Sequence, residues 1–225
     1  MEKPPADIAI VGAGAAGLTA AIFAGGAARA RGFLPRLLLL DGARRPGAKI
    51  LVSGGGRCNV TNARVTPEDY AGGPRPIIRG VLKSFGVEAV LEWMRELGVE
   101  LALEPGGKYF PATNCAKTVL EALLGAAARA GAELRPGLRV EAIRPAPPEG
   151  FDLELRATPH APGGGGATEC ETLRARRVIL ATGGLSLPKS GSDGAGIELA
   201  RRLGHSILPT TPALVPLLLG APPGG

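Results

Sequence analysis

Unbroken hydrophobic runs alternate along the chain with segments whose apolar residues recur at helical spacing. The runs have the length and composition of strands buried on both faces of a parallel sheet, and they cover residues 8–11, 37–41 and 178–181. The segments with helical spacing cover residues 15–30, 76–97, 114–131 and 195–203. This alternation predicts an α/β fold with a central parallel sheet.

A period of two replaces these patterns after residue 132. Three antiparallel strands are predicted there, over residues 138–143, 151–155 and 169–174. A glycine loop at residues 163–166 is expected to join the last two. Two further short strands are expected at residues 99–103 and 108–111. The chain therefore combines a parallel sheet with a three-stranded antiparallel meander.

Helix ends are predicted from glycines and small polar residues. The Gly25–Gly26 pair can end the first helix before residue 30. Residues 76–97 are expected to form two short helices. Thr113 or Asn114 is the expected N-cap of the following helix, and Gly131 is its expected stop.

Three glycines with the spacing G-x-G-x-x-G directly follow the first strand. Gly12 permits a tight turn, Gly14 lets the backbone approach a pyrophosphate, and Gly17 lets the helix pack on the strand. The order strand, glycine turn, helix makes the motif a nucleotide-binding signal, because the first helical N–H groups then point at the phosphates. The motif alone is weak in a chain with 35 glycines.

An acidic residue at the end of the second strand strengthens the nucleotide hypothesis. Asp41 follows Gly17 at about the spacing at which a carboxylate meets a ribose hydroxyl in dinucleotide-binding folds. Its negative charge also disfavours a ribose that carries a phosphate. The alternative is a turn residue that simply follows the strand.

The segment between residues 42 and 62 is rich in glycine and basic residues. Lys49, Arg57, Asn59 and Asn62 are interleaved with its glycines. Backbone N–H groups, cations and amides are the donors that an anionic, polar cofactor requires. The alternative is a flexible linker.

The composition is that of a globular protein with a substantial core. The 225 residues are 45% hydrophobic and 20% charged, with a net charge of +6. The arginines occur singly or in pairs, so they are interpreted as solvated surface and phosphate partners rather than as a nucleic-acid interface. No hydrophobic run approaches the ~20 residues that a membrane span needs, and no membrane association is predicted.

The three cysteines, Cys58, Cys115 and Cys170, are far apart and include no C-x-x-C pair. Their number and spacing argue against a disulfide framework, a zinc site and a dithiol redox centre. Reduced thiols and the lack of a convincing signal peptide predict a soluble, cytoplasmic protein. Cys58, beside Arg57, is interpreted as a packing residue rather than a redox thiol.

These elements together resemble the flavoproteins with two dinucleotide-binding domains, in which a glycine turn holds FAD. In those proteins an antiparallel meander precedes a strand that ends in Ala-Thr-Gly beside the flavin, and residues 181–183 have that sequence and position here. The resemblance implies a glutathione-reductase-like, FAD-binding Rossmann fold.

The sequence KILVSGGGRCNVTN at residues 49–62 narrows the resemblance. It is similar to the signature of a bacterial family of NAD(P)/FAD-dependent oxidoreductases, which includes bile-acid 3-dehydro-Δ4,6-reductase-like and aminoacetone-oxidase-like members. Four other segments match the pattern of that family, at residues 109–111, 183–194, 203–205 and 212–217.

Members of that family are considerably longer, so the sequence corresponds to their N-terminal portion and lacks the C-terminal part of the family fold. The resemblance implies an FAD-binding domain over residues 1–206. Residues 207–225 would then be the start of a truncated inserted substrate domain, or a disordered tail.

The resemblance also implies which residues form the cofactor site. The FAD pyrophosphate would be held by Gly12, Gly14, Ala15, Ala16 and Gly17. Asp41 would bind the adenosine ribose, and Val140 would meet the adenine through its backbone. The phosphates and the ribityl chain, or the isoalloxazine, would lie near Lys49, Gly56, Arg57 and Asn59. The pyrophosphate or the ribityl chain would be approached by Thr182 and Gly183. No metal ligand is predicted, and no catalytic residue is assigned.

We therefore expect an FAD-dependent oxidoreductase that transfers a hydride between flavin and a small organic substrate, with NAD(P)H as a candidate reductant. An NAD-dependent dehydrogenase would share the glycine turn but leaves the residue 53–62 loop and the meander unexplained. A non-catalytic FAD-binding fragment is a second alternative. A flavoprotein that acts on RNA is a third, and only the basic charge favours it. The substrate and the oligomeric state stay open.

Overall fold

The computed structural model describes residues 4–158, 170–186 and 191–211. Its strands are β1 (Ala6–Val11), β2 (Leu37–Asp41), β3 (Thr61–Asn62), β4 (Leu101–Glu104), β5 (Lys108–Pro111), β6 (Ala132–Pro136), β7 (Leu138–Pro145), β8 (Phe151–Ala157) and β9 (Cys170–Leu180). Its α-helices are α1 (Ala15–Arg29), α2 (Ala48–Val52), α3 (Arg75–Ser84), α4 (Val87–Glu96), α5 (Ala116–Arg129) and α6 (Ala195–Arg202).

The central sheet has six strands in the order β6-β2-β1-β9-β8-β7. The first four are parallel, and β9, β8 and β7 form an antiparallel meander. A separate antiparallel sheet has the order β3-β5-β4. The predicted α/β fold, with a mostly parallel sheet and a three-stranded meander, is confirmed.

Hydrophobic residues of β1 and β2 are buried on both faces of the sheet, as their unbroken runs predict. Ile10 and Leu39 pack in a cluster with residues of α1 and α5. Ala9 and Leu38 point to the opposite face, where they pack with residues of the meander such as Leu153. The strands therefore lie between a helical layer and the meander, and β7 reaches over to contact β2.

The two strands predicted at residues 169–174 and 178–181 form one strand in the structure, β9. It pairs with two neighbours, so that Ala175 lies opposite both Ala6 of β1 and Phe151 of β8. Arg176 and Arg177 interrupt the hydrophobic pattern because both are exposed in mid-strand. The loop predicted at residues 163–166 lies outside the described residues, as do residues 212–225.

Strand β6 was not predicted from the sequence. It pairs in parallel with β2, with Ala132 opposite Leu37, at the edge of the sheet. An edge strand is only partly buried, so it lacks the unbroken hydrophobic run that marks β1 and β2. The short helix α2 was also missed, because glycines and basic residues surround it.

Helix α1 continues through Gly25 and Gly26 to Arg29, so the pair does not end it. A Cβ atom on Gly25 would lie 2.2 Å from the carbonyl oxygen of Ala130, which shows that this glycine permits close contact with the end of α5. Gly131 follows α5 with a φ of +88°, as expected of a helix stop.

The N-cap predicted for α5 is wrong, since Cys115 occupies that position. Thr113 instead bonds to the hydroxyl of Thr118, with 2.7 Å between the oxygens, and Asn114 has a φ of +56°. In the described part of the chain, no helix is both long and apolar enough to cross a membrane.

Candidate cofactor site

A cavity of about 820 Å³ opens at the carboxyl ends of the parallel strands. Val11 ends β1, Asp41 ends β2 and Ala181 follows β9, and all three line the cavity. This edge is where open α/β sheets bind their ligands. The volume lies within the roughly 300–1,000 Å³ that is usual for small-molecule sites.

The three glycines of the turn have different environments. A Cβ atom on Gly12 would lie 2.5 Å from the carbonyl oxygen of Ala181, and one on Gly17 would lie 1.8 Å from that of Gly12. A Cβ atom on Gly14 would meet nothing within 4 Å, and Gly14 lines the cavity. Gly12 and Gly17 therefore allow the chain to pack on itself, whereas Gly14 leaves space open to a ligand.

Asp41 joins the ends of the first two parallel strands. Its Oδ2 accepts a hydrogen bond from the backbone N–H of Ala13, and its Oδ1 accepts one from that of Ala43, both at 2.7 Å. A carboxylate has about four lone-pair sites, so each oxygen keeps acceptor capacity for a ligand hydroxyl. Asp41 thus shapes the turn as well as lining the cavity.

The meander contributes the next part of the wall. Val140 is buried and lines the cavity, as does its neighbour Arg139. Arg139 donates a hydrogen bond to Asp193 at 2.7 Å, and the other oxygen of Asp193 accepts one from the backbone N–H of Ala195 at 3.1 Å. This link connects β7 to the beginning of α6.

The carboxyl of Asp193 has a pKa below its usual value. Partial burial on its own raises this pKa, but the hydrogen bond from Ala195 and the charge of Arg139 lower it by more. Sequence reasoning did not single out Arg139 or Asp193. For Asp193 a usable signal existed, since an acid followed by glycine before a helical segment is typical of a helix start.

Thr182 and Gly183 line the cavity directly after β9. Helix α6 packs close to this segment, because a Cβ atom on Gly196 would lie 1.9 Å from the hydroxyl oxygen of Thr182. Gly183 has a φ of +76°. The segment therefore crosses the cavity edge in a conformation fixed by α6.

The glycine-rich segment is an ordered part of the site, and the linker alternative is wrong. It contains α2 and a 3-10 turn over Ser53–Gly56, and the N–H of Val60 bonds to the carbonyl of Tyr109 at 2.9 Å. Lys49 and Asn59 line the cavity. Lys49 also donates a hydrogen bond to the hydroxyl of Ser186.

The structure does not place Gly56 and Arg57 on the cavity wall. Arg57 lies over the ring of Phe110, 4.1 Å from its centroid, and forms a 2.6 Å salt bridge with Glu104. It also donates to Asn114 at 3.3 Å. Arg57 therefore holds the glycine segment against the small sheet.

Cys58 is buried on the cavity wall. Burial raises the pKa of its thiol, and a hydrogen bond with Ser53 lowers it by less. A raised pKa keeps the sulfur protonated and poorly nucleophilic, which agrees with the packing interpretation.

A hydrophobic part of the wall was not identified from the sequence. Trp93 forms ring contacts with Phe23 and Phe85, with centroids 5.5 and 5.9 Å apart. Apolar residues of α4 and α5 extend this wall, namely Val90, Met94, Val119 and Leu123. Their helical spacing marked them as core residues, and only the folded chain shows that they also border the cavity.

Two curated relatives match almost the whole chain. The 3-dehydro-bile acid delta(4,6)-reductase of Clostridium scindens is 37% identical over 210 residues, which are 93% of this chain and 47% of the relative. The ribosomal RNA dihydrouridine synthase of Escherichia coli is 34% identical over 217 residues, which are 96% of this chain and 49% of the relative. The chain thus spans about half the length of the curated relatives it matches.

The fold is also found in solved structures. The 3-ketosteroid-delta4-(5alpha)-dehydrogenase from Rhodococcus jostii RHA1 aligns with a TM-score of 0.62 at 18% identity, over 92% of this chain and 55% of that one. In addition, the HI0933-like protein Rossmann domain matches residues 6–217. The chain therefore belongs to the HI0933-like family and has its Rossmann-type nucleotide-binding fold.

Proposed function

We propose that this chain is the FAD-binding portion of a flavin-dependent oxidoreductase. One observation carries the proposal: a single cavity brings together the glycine turn, the Asp41 carboxylate, the meander and the segment that contains Lys49 and Asn59. A nucleotide alone would need only the first two of these features. An elongated cofactor with an anionic centre can use all four.

The residues present fit such a cofactor. The open space above Gly14 lets a diphosphate approach the N-terminus of α1, where unpaired N–H groups and the helix dipole favour negative charge. The pyrophosphate would be held by Gly12, Gly14, Ala15 and Ala16. Gly17 would allow the turn to pack closely on the helix. Asp41 would accept hydrogen bonds from the adenosine ribose, and Val140 would border the adenine.

The second half of the cofactor would extend towards Lys49, Asn59, Thr182 and Gly183. Lys49 supplies a positive charge, and the hydrophobic wall around Trp93 keeps water from one side of the site. Gly56 and Arg57 act indirectly in this proposal, by fixing the segment from the side of the small sheet. When bound, the flavin supplies hydride transfer to or from a small organic substrate, with NAD(P)H as the candidate reductant.

Two alternatives differ from this proposal in what they predict. An NAD-dependent dehydrogenase would bind NAD at the glycine turn and would show no flavin band. A non-catalytic FAD-binding fragment would retain the flavin without turnover.

We also propose a cytoplasmic location, supported by free cysteines at positions 58, 115 and 170.

A second candidate substrate follows from the name of the Escherichia coli relative, which acts on ribosomal RNA. The net charge of +6 favours contact with phosphates. We favour a small organic substrate, because basic residues occur singly or in pairs along the chain. Tight binding of a ribosomal RNA fragment whose affinity falls steeply with salt would reverse that preference.

The decisive experiment is a titration of the purified protein with FAD, followed by its visible spectrum. We expect a protein-bound flavin band, together with quenching of the single tryptophan, Trp93, which lines the cavity. Anaerobic addition of NADH or NADPH should then bleach the band. A protein that neither carries nor takes up flavin contradicts the proposal.

Gly14→Val provides the matched test of the cavity. Its side chain would enter open space on the cavity wall, so we expect loss of FAD binding by at least about 100-fold with unchanged thermal stability. The control is Gly26→Val within α1, where an added Cβ atom also meets nothing within 4 Å but the residue does not line the cavity. Equal FAD affinity in the two variants would refute the placement of the pyrophosphate.

A further inference from the structure

A groove of about 790 Å³ adjoins the cofactor cavity. Val60, Phe85 and Val90 line both spaces, so the two share a hydrophobic wall. The groove lies between the residues that follow β3, the start of α4 and the β4–β5 turn at Gly106 and Gly107. Hydride transfer requires contact, so a substrate of the proposed flavoenzyme must bind next to the cofactor.

The groove combines this apolar wall with a few polar groups, as small-molecule sites do. Asn62, Arg64, Asp69 and Tyr70 lie on its lining. The carboxylate of Asp69 is engaged by Thr66, with its backbone N–H at 2.7 Å and its hydroxyl at 3.1 Å. It is therefore used in closing the local turn.

Arg64 differs from most arginines of the chain. It forms no hydrogen bond or salt bridge with any residue that the structure describes, although its charge acts on the nearby carboxyl of Asp69. Its guanidinium keeps five N–H donors in a geometry that suits a carboxylate or a phosphate. The groove thus offers a hydrophobic wall beside the cofactor cavity and one available cation.

We propose that this groove is the substrate site and that it takes a small organic anion, whose carboxylate or phosphate is held by Arg64. The apolar part of the anion lies against Val60, Phe85 and Val90. This inference rests on the proposed flavin function for its chemistry. Binding in the groove can nevertheless be measured separately.

The test is calorimetric titration with cinnamate, a flat unsaturated carboxylate, and with its neutral amide, in the presence and absence of FAD. We expect cinnamate to bind at least about tenfold more tightly than cinnamamide. Phenyl phosphate carries a phosphate on a similar aromatic body, so comparison with cinnamate distinguishes the two sources of the anion.

Three variants locate the binding. Arg64→Gln should remove the preference for the anion, and Ala63→Phe should abolish binding of all three compounds by filling the groove. Arg31→Gln removes the same charge from a surface position that lines neither space, and it should change nothing. All three should bind FAD as the wild type does.

The outcomes separate the two proposals. Failure of the wild type to bind FAD contradicts the flavin function, while the titrations without FAD still test the groove. Absence of binding by both anions, or equal anion affinity in the wild type and Arg64→Gln, overturns the groove assignment.

Discussion

The two parts of the cofactor cavity are built in different ways. The turn that contains Gly12, Gly14 and Gly17 is fixed by the main sheet. Asp41 binds it through a hydrogen bond, and the backbone packs so closely at Gly12 and Gly17 that a Cβ atom would not fit. The segment that contains Arg57 is fixed by the small sheet, through a salt bridge and a ring contact at the surface. One part depends on tight packing and the other on half-exposed polar contacts.

This difference predicts which substitutions should cost the most stability. Buried backbone contacts leave no room for an added atom, so changes there cost stability. A half-exposed ion pair competes with water and contributes little by itself. Substitutions of Gly12 or Gly17 should therefore cost more stability than loss of the Arg57 ion pair.

The largest effect is expected for Gly17→Ala. The new Cβ atom would lie 1.8 Å from the carbonyl oxygen of Gly12, and backbone on both sides must shift to accept it. We expect a loss of at least about 3 kcal/mol in the free energy of unfolding, measured by urea denaturation.

The control for this substitution is Gly26→Ala, at a helical glycine with nothing within 4 Å. Alanine should raise stability there by about 0.5–1 kcal/mol, because glycine in a helix loses more chain entropy on folding. Similar urea midpoints for the two alanine variants would contradict the packing difference.

An intermediate effect is expected for Asp41→Asn. The amide keeps the shape, but its NH₂ group would face one of the two backbone donors, Ala13 or Ala43, and one hydrogen bond is lost. Loss of a charged acceptor costs about 1.5–3 kcal/mol, measurable by urea denaturation. Asp152→Asn is the control, since both partners of its 3.5 Å pairing with Arg174 are more than a third exposed, and the change should matter by less than about 1 kcal/mol.

The smallest effect is expected for Arg57→Lys. Lysine keeps the charge but loses the planar group that stacks on Phe110 and binds Glu104 and Asn114 together. Because Glu104 and Arg57 are each more than a third exposed, we expect a loss of about 0.5–1 kcal/mol.

The affinity of Arg57→Lys for FAD distinguishes its role from that of Lys49. A positioning residue should lower FAD affinity by less than tenfold, whereas Lys49→Met, on the cavity wall, should lower it more. A complete loss of FAD binding in Arg57→Lys would show that Arg57 contacts the cofactor after all.

The same distinction explains what could be predicted from the sequence. The runs at residues 8–11 and 37–41 mark buried strands, and the spacing of the glycines marks the turn, because each signal lies within a few neighbouring residues. The orientation of Arg57 depends on Glu104 and Asn114, which are 47 and 57 positions away along the chain. No local pattern contains that information.

Strand β9 failed as a prediction for a related reason. The alternating pattern at residues 169–174 matches the part of β9 that pairs antiparallel with β8. The unbroken hydrophobic run at residues 178–181 matches the part that pairs in parallel with β1. Their union into one strand depends on partners at residues 6 and 151. Likewise, the spacing of hydrophobic residues around Trp93 predicts a helix but not a cavity. Its position on the cavity wall depends on tertiary contacts with Phe23 and Phe85.

The double pairing of β9 has a consequence for synthesis on the ribosome. Ala6 leaves the ribosome early, but its partner Ala175 is made only after strands β7 and β8. Such distant pairing is slow to form, and a nascent chain with an unpaired hydrophobic strand is exposed to aggregation. Strand β1 can pair early with β2, but its other edge stays unpaired until β9 has been made. The nucleotide cavity should therefore be one of the last features to assemble during translation.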